Sequence, residues 1–286
     1  MKLLRFGQAG QEKPGILDAA GQIRDLSQLI PDSRLAPWPL TKLREQAARG
    51  FDRFPLVKQA TRLGCPIPHV GKFLAVGLNY RDHAAEVGQA LPAEPVVFSK
   101  ATSCIIGPND DIKLPRNSIK TDWEVELGVV IGTTAAYVSE SDALDHVAGY
   151  CVINDVSERE YQLARGGTWD KGKGCDTFGP VGPYLVTADE IKDPQTLDLW
   201  LDVNGVRRQT GNTRTMIFSV RSLVSYLSCF MTLYPGDLIT TGTPPGVGMG
   251  QKPEPIYLRS GDVVELGIGG LGAQRQYVAS WGSADP

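Results

Sequence analysis

The chain has 286 residues, enough for one large domain or for one domain and a small second one. Its net charge of −3 gives no reason to expect nucleic acid or an anionic membrane as a partner. The apolar runs are shorter than the roughly 20 residues of a membrane span, and the first residues do not form a signal-peptide pattern. The five cysteines, without a Cys-x-x-Cys pair, argue against a disulfide framework and fit a reducing cytoplasm.

The first 70 residues differ from the rest of the chain. Strand patterns at 2–6, 13–17 and 22–26 precede a helical stretch near 40–48, and two prolines then interrupt the sequence. We therefore expect a small N-terminal domain at 1–70 and a catalytic domain at 71–286.

The catalytic part is predicted to be β-rich, with strands and helices in irregular order. We predict strands at 72–77, 96–99, 124–131, 148–154, 182–186, 197–203, 238–241 and 263–268, and helices at 81–87, 143–147, 158–163 and 219–230. Asn204-Gly205 is a strong hairpin signal. The irregular order favours a mixed β-rich α+β fold of the sandwich or roll kind over a doubly wound sheet.

Three carboxylates lie at the ends of two of these strands. Glu124 and Glu126 are two residues apart, so a strand points them to the same face, where like charges repel. Asp155 ends a second apolar run that should lie beside the first. A shared hard cation would account for all three, and oxygen ligands favour Mg²⁺, Mn²⁺ or Ca²⁺ over zinc. The alternative is an exposed Glu124 and a Glu126 buried by an ion pair.

A histidine–carboxylate pair follows the strand at 72–77. His83 and Glu86 are three residues apart on a predicted helix and can therefore touch. A carboxylate beside an imidazole raises its basicity and fixes its orientation, which suits a general base acting on water. The alternative is an ion pair on the helix surface.

The helix predicted after Asp155 starts with a capping-box pattern, Ser157 and Glu160, and places Arg159 and Gln162 on one face. Further along, a predicted glycine-rich loop carries Lys173, a cation that can neutralise a carboxylate or a developing enolate. A solvated linker is the alternative reading of this segment.

The loop around Thr243 follows the strand at 238–241 and offers hydroxyl and backbone N–H groups to an anion. Taken alone, it is only a turn.

The chain resembles the fumarylacetoacetate hydrolase family over about residues 70–272. The resemblance rests on six segments in this order: GLNYRDHAAE, FSKATSCIIGPND, DWEVELGVVIG, GYCVINDVSERE, KGKGCDTFGPVGP and LITTGTPPGVG. It implies a β-sandwich roll, a homodimer or homotetramer, and a Mg²⁺ or Mn²⁺ site. The site residues it implies are Glu124, Glu126 and Asp155 as metal ligands, His83, Glu86 and Lys173 as catalytic groups, and Arg159, Gln162, Thr243 and Tyr80 at the substrate.

The resemblance also implies a reaction. The substrate would be a 2,4-dioxo acid that is hydrolysed between C3 and C4 to pyruvate and a second acid. The start of the chain is similar to that of bacterial sugar-acid members, which would convert 2,4-diketo-3-deoxy-L-rhamnonate or L-fuconate to pyruvate and L-lactate.

Several alternatives stay open on the same scaffold. They are an acylpyruvate hydrolase, an oxaloacetate decarboxylase, a ureidoglycolate lyase or an isomerase of unsaturated oxo acids. A non-catalytic binding protein stabilised by a metal is the alternative from another class. The presence of His83, Glu86 and Lys173 counts against it, because a structural ion does not need them.

Overall fold

The computed structural model describes residues 1–31, 37–57, 61–86 and 88–282. Its strands, in chain order, are β1 (Lys2–Phe6), β2 (Lys13–Leu17), β3 (Ile23–Asp25), β4 (Leu63–Gly64), β5 (Phe73–Gly77), β6 (Val96–Ser99), β7 (Ile105–Ile106), β8 (Ile112–Leu114), β9 (Thr121–Asp122), β10 (Val125–Ile131), β11 (Val147–Asn154), β12 (Ser157–Glu158), β13 (Gly179–Thr187), β14 (Asp198–Val203), β15 (Val206–Asn212), β16 (Leu238–Thr240), β17 (Val263–Ile268) and β18 (Gly272–Ser280). The helices are α1 (Leu40–Ala47), α2 (Arg81–Glu86), α3 (Arg159–Ala164), α4 (Asp170–Lys173) and α5 (Val220–Ser228).

The strands form two large mixed sheets and a small one. The first sheet has the order β3-β2-β1-β13-β11-β10-β16-β5-β6, with β4 and β7 attached to β1 and β13. The second has the order β15-β14-β17-β18-β8, and β9 pairs with β12. Most neighbours are antiparallel, while β5–β16, β7–β13 and β8–β18 are parallel.

The second sheet packs on the centre of the first. Its strands β14, β17 and β18 contact β10, β11 and β13. Every residue of β10 and β11 is buried, which explains why their sequences are almost continuously apolar rather than alternating. The expected β-rich α+β sandwich is confirmed.

The N-terminal segment joins the first sheet directly. β1 pairs with β2 on one side and with β13 and β4 on the other. The sheet therefore continues across residue 70, and the division into two domains at this point stays a prediction.

Most predicted elements are confirmed within one to three residues, including the hairpin at Asn204-Gly205, where both residues have positive φ. Three local predictions are wrong. The helix at 143–147 is a 3₁₀ turn, Ala143–His146, and the glycine-rich segment contains the short helix α4. The cap of α3 is Glu158, whose carboxylate accepts the Tyr161 N–H, because pairing of β12 with β9 holds Ser157 in a strand.

Within the described part of the chain, every helix is too short or too polar to cross a lipid bilayer.

We expect Gly149→Ala to destabilise the sheet. A Cβ atom there would lie 2.1 Å from the Val186 carbonyl oxygen, so β11 and β13 would have to separate. Overpacking of this kind lowers the free energy of unfolding by about 1–3 kcal/mol, which urea denaturation measures. Gly269→Ala is the matched control, because its Cβ would meet no atom closer than 3.9 Å. Equal stability of the two variants would contradict this packing.

Candidate metal centre and active site

The three predicted carboxylates form one buried cluster. Glu124, Glu126 and Asp155 each offer an oxygen atom, and these atoms lie within 4.8 Å of one another. The pairing of β10 with β11 brings them together, since Val125 faces Asn154 and the Asp155 N–H donates to the Glu124 carbonyl at 2.8 Å. The alternative of an exposed Glu124 is wrong, because its exposed fraction is 5%.

Basic side chains neutralise two of the carboxylates. Lys173 Nζ donates to Glu124 Oε2 at 2.7 Å and to Asp155 Oδ2 at 2.6 Å. Lys100 Nζ lies 2.6 Å from Asp155 Oδ1, an ion pair without the angles of a hydrogen bond, and Arg159 donates to Glu124 Oε1 at 2.6 Å. Burial alone would raise the pKa of Glu124, but Lys173 and Arg159 outweigh burial and hold that pKa below its usual value.

Glu126 is compensated differently. Its Oε2 accepts hydrogen bonds from the Thr240 hydroxyl and from the Gly242 N–H, the latter at 2.7 Å. Within the described residues it forms no ion pair, and burial together with Asp155 and Glu124 raises its pKa well above the usual value. The charges near the cluster do not balance: four carboxylates, counting Asp122, face the cations Lys100, Lys173 and Arg159.

This donor set fits a divalent cation. The ligand atoms are all carboxylate oxygens, as Mg²⁺ and Mn²⁺ prefer, and the surplus negative charge would be offset by the ion. Glu124, Glu126 and Asp155 are the residues that would hold it.

Lys173 reaches the cluster because α4 packs closely on α3. A Cβ atom at Gly172 would lie 2.4 Å from the Glu158 carbonyl oxygen, so only glycine permits this approach. Burial disfavours the charged form of Lys173, yet Asp155 and Glu124 outweigh burial and raise its pKa. The side chain therefore stays an ammonium.

The predicted histidine pair also forms. His83 Nδ1 lies 2.9 Å from Glu86 Oε2, and His83 lines the same cavity as the carboxylates. The other oxygen of Glu86 accepts the Gly246 N–H at 2.9 Å, which ties α2 to the loop after β16. Nδ1 is occupied by Glu86, and Nε2 has no hydrogen-bond partner in the described part of the chain, so Nε2 is the nitrogen available to a ligand.

Arg159 and Gln162 line the cavity and touch each other. Arg159 Nη1 donates to Gln162 Oε1 at 3.0 Å, while its Nε donates to Asp122 at 2.8 Å. Asp122 in turn accepts the N–H groups of Gly248 and Met249 at 2.6 and 3.0 Å. Asp122 therefore connects the Arg159 guanidinium with the loop after β16, which is also hydrogen-bonded to Glu86.

Thr243 and Tyr80 differ in their access to the cavity. Thr243 lines it, but its hydroxyl donates to the Val125 carbonyl and accepts from Gln209, at 3.0 and 2.8 Å. Tyr80 is fully buried and does not line the cavity, and its hydroxyl has no hydrogen-bond partner among the described residues. Burial raises the pKa of Tyr80, and Glu126 adds to this effect.

Sequence reasoning missed Lys100 and Asp122. Lys100 comes directly after the strand pattern of β6. This position is the only feature of the sequence that could have pointed to Lys100 as a site residue. Asp122 stands next to the Glu-Val-Glu motif, yet nothing in the sequence indicates that it contacts Arg159. Both residues are almost completely buried, with exposed fractions of 2% and 0%.

The cavity that contains these groups has a volume of about 310 Å³. The carboxylate cluster, Arg159 and Lys173 form its polar part, and His83 lines it as well. Its size suits a small organic acid.

The substitution Glu126→Gln removes the ionisable group of this ligand and keeps the shape of its side chain, so it tests the role of charge in the cluster. Burial and the neighbouring carboxylates raise the pKa of Glu126, so this carboxyl group opposes folding at neutral pH; because the amide removes that opposition, the metal-free variant should be more stable than the unmodified protein. Saturating Mn²⁺ should stabilise the unmodified protein by about 3 kcal/mol and the variant much less. Thermal unfolding with and without Mn²⁺ measures both effects. Glu160→Gln, at an exposed ion pair with Arg165, is the control. A variant that retains the Mn²⁺ effect would contradict the proposed ligand role.

Known proteins are similar to this chain over almost its whole length. Residues 72–279 match the family model of the fumarylacetoacetate (FAA) hydrolase C-terminal domain. A Burkholderia ambifaria protein named "Putative hydrolase" is 64% identical over 279 residues, which cover 96% of this chain and 98% of that protein.

Solved structures share the fold. Fumarylacetoacetate hydrolase from Exiguobacterium antarcticum is similar with a TM-score of 0.84 at 37% identity, covering 98% of this chain and 99% of that one. Maleylpyruvate hydrolase from Sphingobium sp. SYK-6, solved with manganese(II) and pyruvate, has a TM-score of 0.79 at 30% identity, with coverage of 98% and 99%. A 5-carboxymethyl-2-hydroxymuconate delta-isomerase from Mycobacterium smegmatis has a TM-score of 0.76 at 34% identity, with coverage of 99% and 100%. The chain thus belongs to the fumarylacetoacetate hydrolase family, a scaffold of hydrolases and isomerases, and carries an acidic cluster suited to a divalent metal.

Proposed function

We propose that the protein is a metal-dependent hydrolase that cleaves the C3–C4 bond of a 2,4-dioxo acid and releases pyruvate. The first substrate candidates are 2,4-diketo-3-deoxy-L-rhamnonate and L-fuconate, which would give L-lactate as the second product. Mg²⁺ or Mn²⁺ is the proposed cofactor.

One observation carries the proposal: a histidine held by a carboxylate lines the same cavity as a buried cluster of three oxygen donors. A structural ion would need only the cluster. Maleylpyruvate hydrolase, which is similar in structure and was solved with manganese(II) and pyruvate, supports a divalent ion as cofactor and pyruvate as product.

His83 is the proposed general base. Glu86 fixes one ring nitrogen, so the other can take a proton from water as the water oxygen adds to C4. The C3–C4 bond then breaks, C4 leaves as the second carboxylic acid, and the electron pair remains on the pyruvate fragment as its enolate. Protonation of C3 completes pyruvate.

We propose that the ammonium group of Lys173 stabilises the negative charge of the enolate. An ammonium has three N–H donors, and Glu124 and Asp155 accept two of them. The charge of Lys173 lies in a buried site, where it acts more strongly than in water. When bound, a divalent ion supplies Lewis-acid polarisation of the 2-oxo acid.

An isomerase is the second candidate function, favoured by the similarity to the muconate delta-isomerase. Isomerisation of an unsaturated oxo acid moves a proton and breaks no carbon–carbon bond. It therefore needs no base that activates water, and the His83–Glu86 pair favours hydrolysis.

The assay that tests the proposal follows the release of pyruvate and, where ureidoglycolate is the substrate, of glyoxylate. The purified protein is incubated with Mg²⁺ or Mn²⁺ and, separately, with 2,4-diketo-3-deoxy sugar acids, acylpyruvates, oxaloacetate and ureidoglycolate. We expect pyruvate from 2,4-dioxo acids and its loss when EDTA is added. Turnover of ureidoglycolate alone, or EDTA-resistant pyruvate release, would overturn the proposal.

We expect His83→Ala to lower kcat by about 100-fold or more, because general-base catalysis contributes on this scale. Glu86→Gln should lower kcat less, since the amide still contacts the ring but no longer raises its basicity. Mn²⁺ affinity, measured by calorimetry, should stay the same in both variants. An unchanged kcat in His83→Ala would remove this residue from the role of base.

A further inference from the structure

We propose that the substrate's tail beyond C4 is uncharged and ends in an apolar group, because the part of the cavity available to it is an apolar wall. The inference rests on the proposed function and names the class of 2,4-dioxo acid that this site takes: one with a methyl-terminated deoxysugar or acyl tail, in preference to one with a second carboxylate.

The wall consists of the apolar side chains in the cavity lining: Val76, Leu78, Phe98, Leu163, Trp169 and Met249. Among the lining residues outside the carboxylate cluster and its hydrogen-bond partners, the polar side chains are His83, Gln89, Gln162 and Thr243. Gln162 is bonded to Arg159, and the Thr243 hydroxyl to the Val125 carbonyl and Gln209. A substrate whose carboxylate and 2-oxo group occupy the cluster therefore extends its tail over apolar surface.

Protein atoms leave this surface uncovered. Leu163 is 55% exposed, and Phe98, Trp169 and Met249 are only partly buried. Large apolar side chains gathered around one cavity gain free energy when a ligand removes them from water, at roughly 25 cal/mol per Å². Val76 belongs to the hydrophobic core, but core packing does not account for the positions of the other five side chains.

Trp169 is held firmly in the wall. Its ring meets Phe98 edge to face, with centroids 5.2 Å apart and planes at 62°. A Cβ atom at Gly77 would lie 2.3 Å from Trp169 Cζ3, so the indole lies directly on the backbone of β5. Lys173 Nζ lies 5.3 Å from the Phe98 ring centroid, which joins the wall to the reaction centre.

Leu78, at the junction of β5 and α2, has a φ of 54° and also lines the cavity. This region of conformational space is costly for a branched apolar side chain, and such residues gather at functional sites.

Charge argues against a second carboxylate on the tail. Arg159 and Lys173, the basic residues among the described lining, are already paired with Asp122, Glu124 and Asp155, and His83 is paired with Glu86. A tail carboxylate would find no unpaired cation in this lining and would lose its hydration against Trp169 and Phe98.

The experiment compares two substrates of equal length. The tail of 2,4-dioxoheptanoate is propyl, and that of 2,4-dioxoheptanedioate is 2-carboxyethyl. With the Mn²⁺-loaded protein and pyruvate release as readout, we expect kcat/KM to be at least about 100-fold higher for the monoacid. An equal or higher value for the diacid would overturn the inference while leaving the proposed function intact. Absence of pyruvate from either substrate and from 2,4-dioxopentanoate would instead overturn the proposed function.

Two variants test whether the residues of the wall contact the substrate's tail. Trp169→Ala and Leu163→Ala should each lower the ratio of kcat/KM for 2,4-dioxoheptanoate over 2,4-dioxopentanoate, by about tenfold for the tryptophan and about threefold for the leucine. Leu163 is exposed, so its variant folds even if removal of Trp169 disturbs α4. Leu91→Ala, an exposed leucine outside the lining, is the control and should leave the ratio unchanged. An unchanged ratio in Leu163→Ala, together with an unchanged ratio or a misfolded protein in Trp169→Ala, would overturn the assignment of the wall.

Discussion

The burial of three like charges at the ends of two neighbouring strands is the constraint on which the rest of the site depends. Glu124, Glu126 and Asp155 are removed from water, where each charge would cost several kcal/mol if left alone. The cations that compensate them arrive from outside the two strands: Lys100 follows β6, and Lys173 ends α4. The elements around the two strands therefore bring positive charges to the carboxylate cluster.

The second sheet fixes the strand ends that carry this charge. Gln209, from β15, accepts the Val125 N–H at 2.9 Å and donates to Thr243 and to the Pro244 carbonyl. Asn154 accepts the Glu124 N–H and donates to Gln276 of β18. These buried amides satisfy backbone groups that would otherwise lack partners, so the sandwich holds the ligand positions as well as providing a core.

Much of this arrangement could be predicted from the sequence, and the part that could not has a physical reason. Period-two spacing placed Glu124 and Glu126 on one face, and helical spacing placed His83 next to Glu86, because both relations are local. Lys100 and Asp122 escaped prediction because their partners, Asp155 and Arg159, are 55 and 37 residues away and meet them only through the folded sheet. The cap at Glu158 was mispredicted because strand pairing with β9 overrode the local capping pattern.

The reaction centre and the tail wall are under different physical constraints. At the centre, Glu124 and Asp155 are paired with buried cations, so a change at Lys173 or Asp155 leaves a partner buried without compensation. The wall is different: Leu163 and Met249 are partly exposed apolar side chains, and replacing them changes contact area without leaving an unpaired charge. The chain is similar to both hydrolases and an isomerase, so the fold itself does not fix the reaction. Under the proposed function, the wall rather than the carboxylate cluster is the part of this site that selects the substrate's tail.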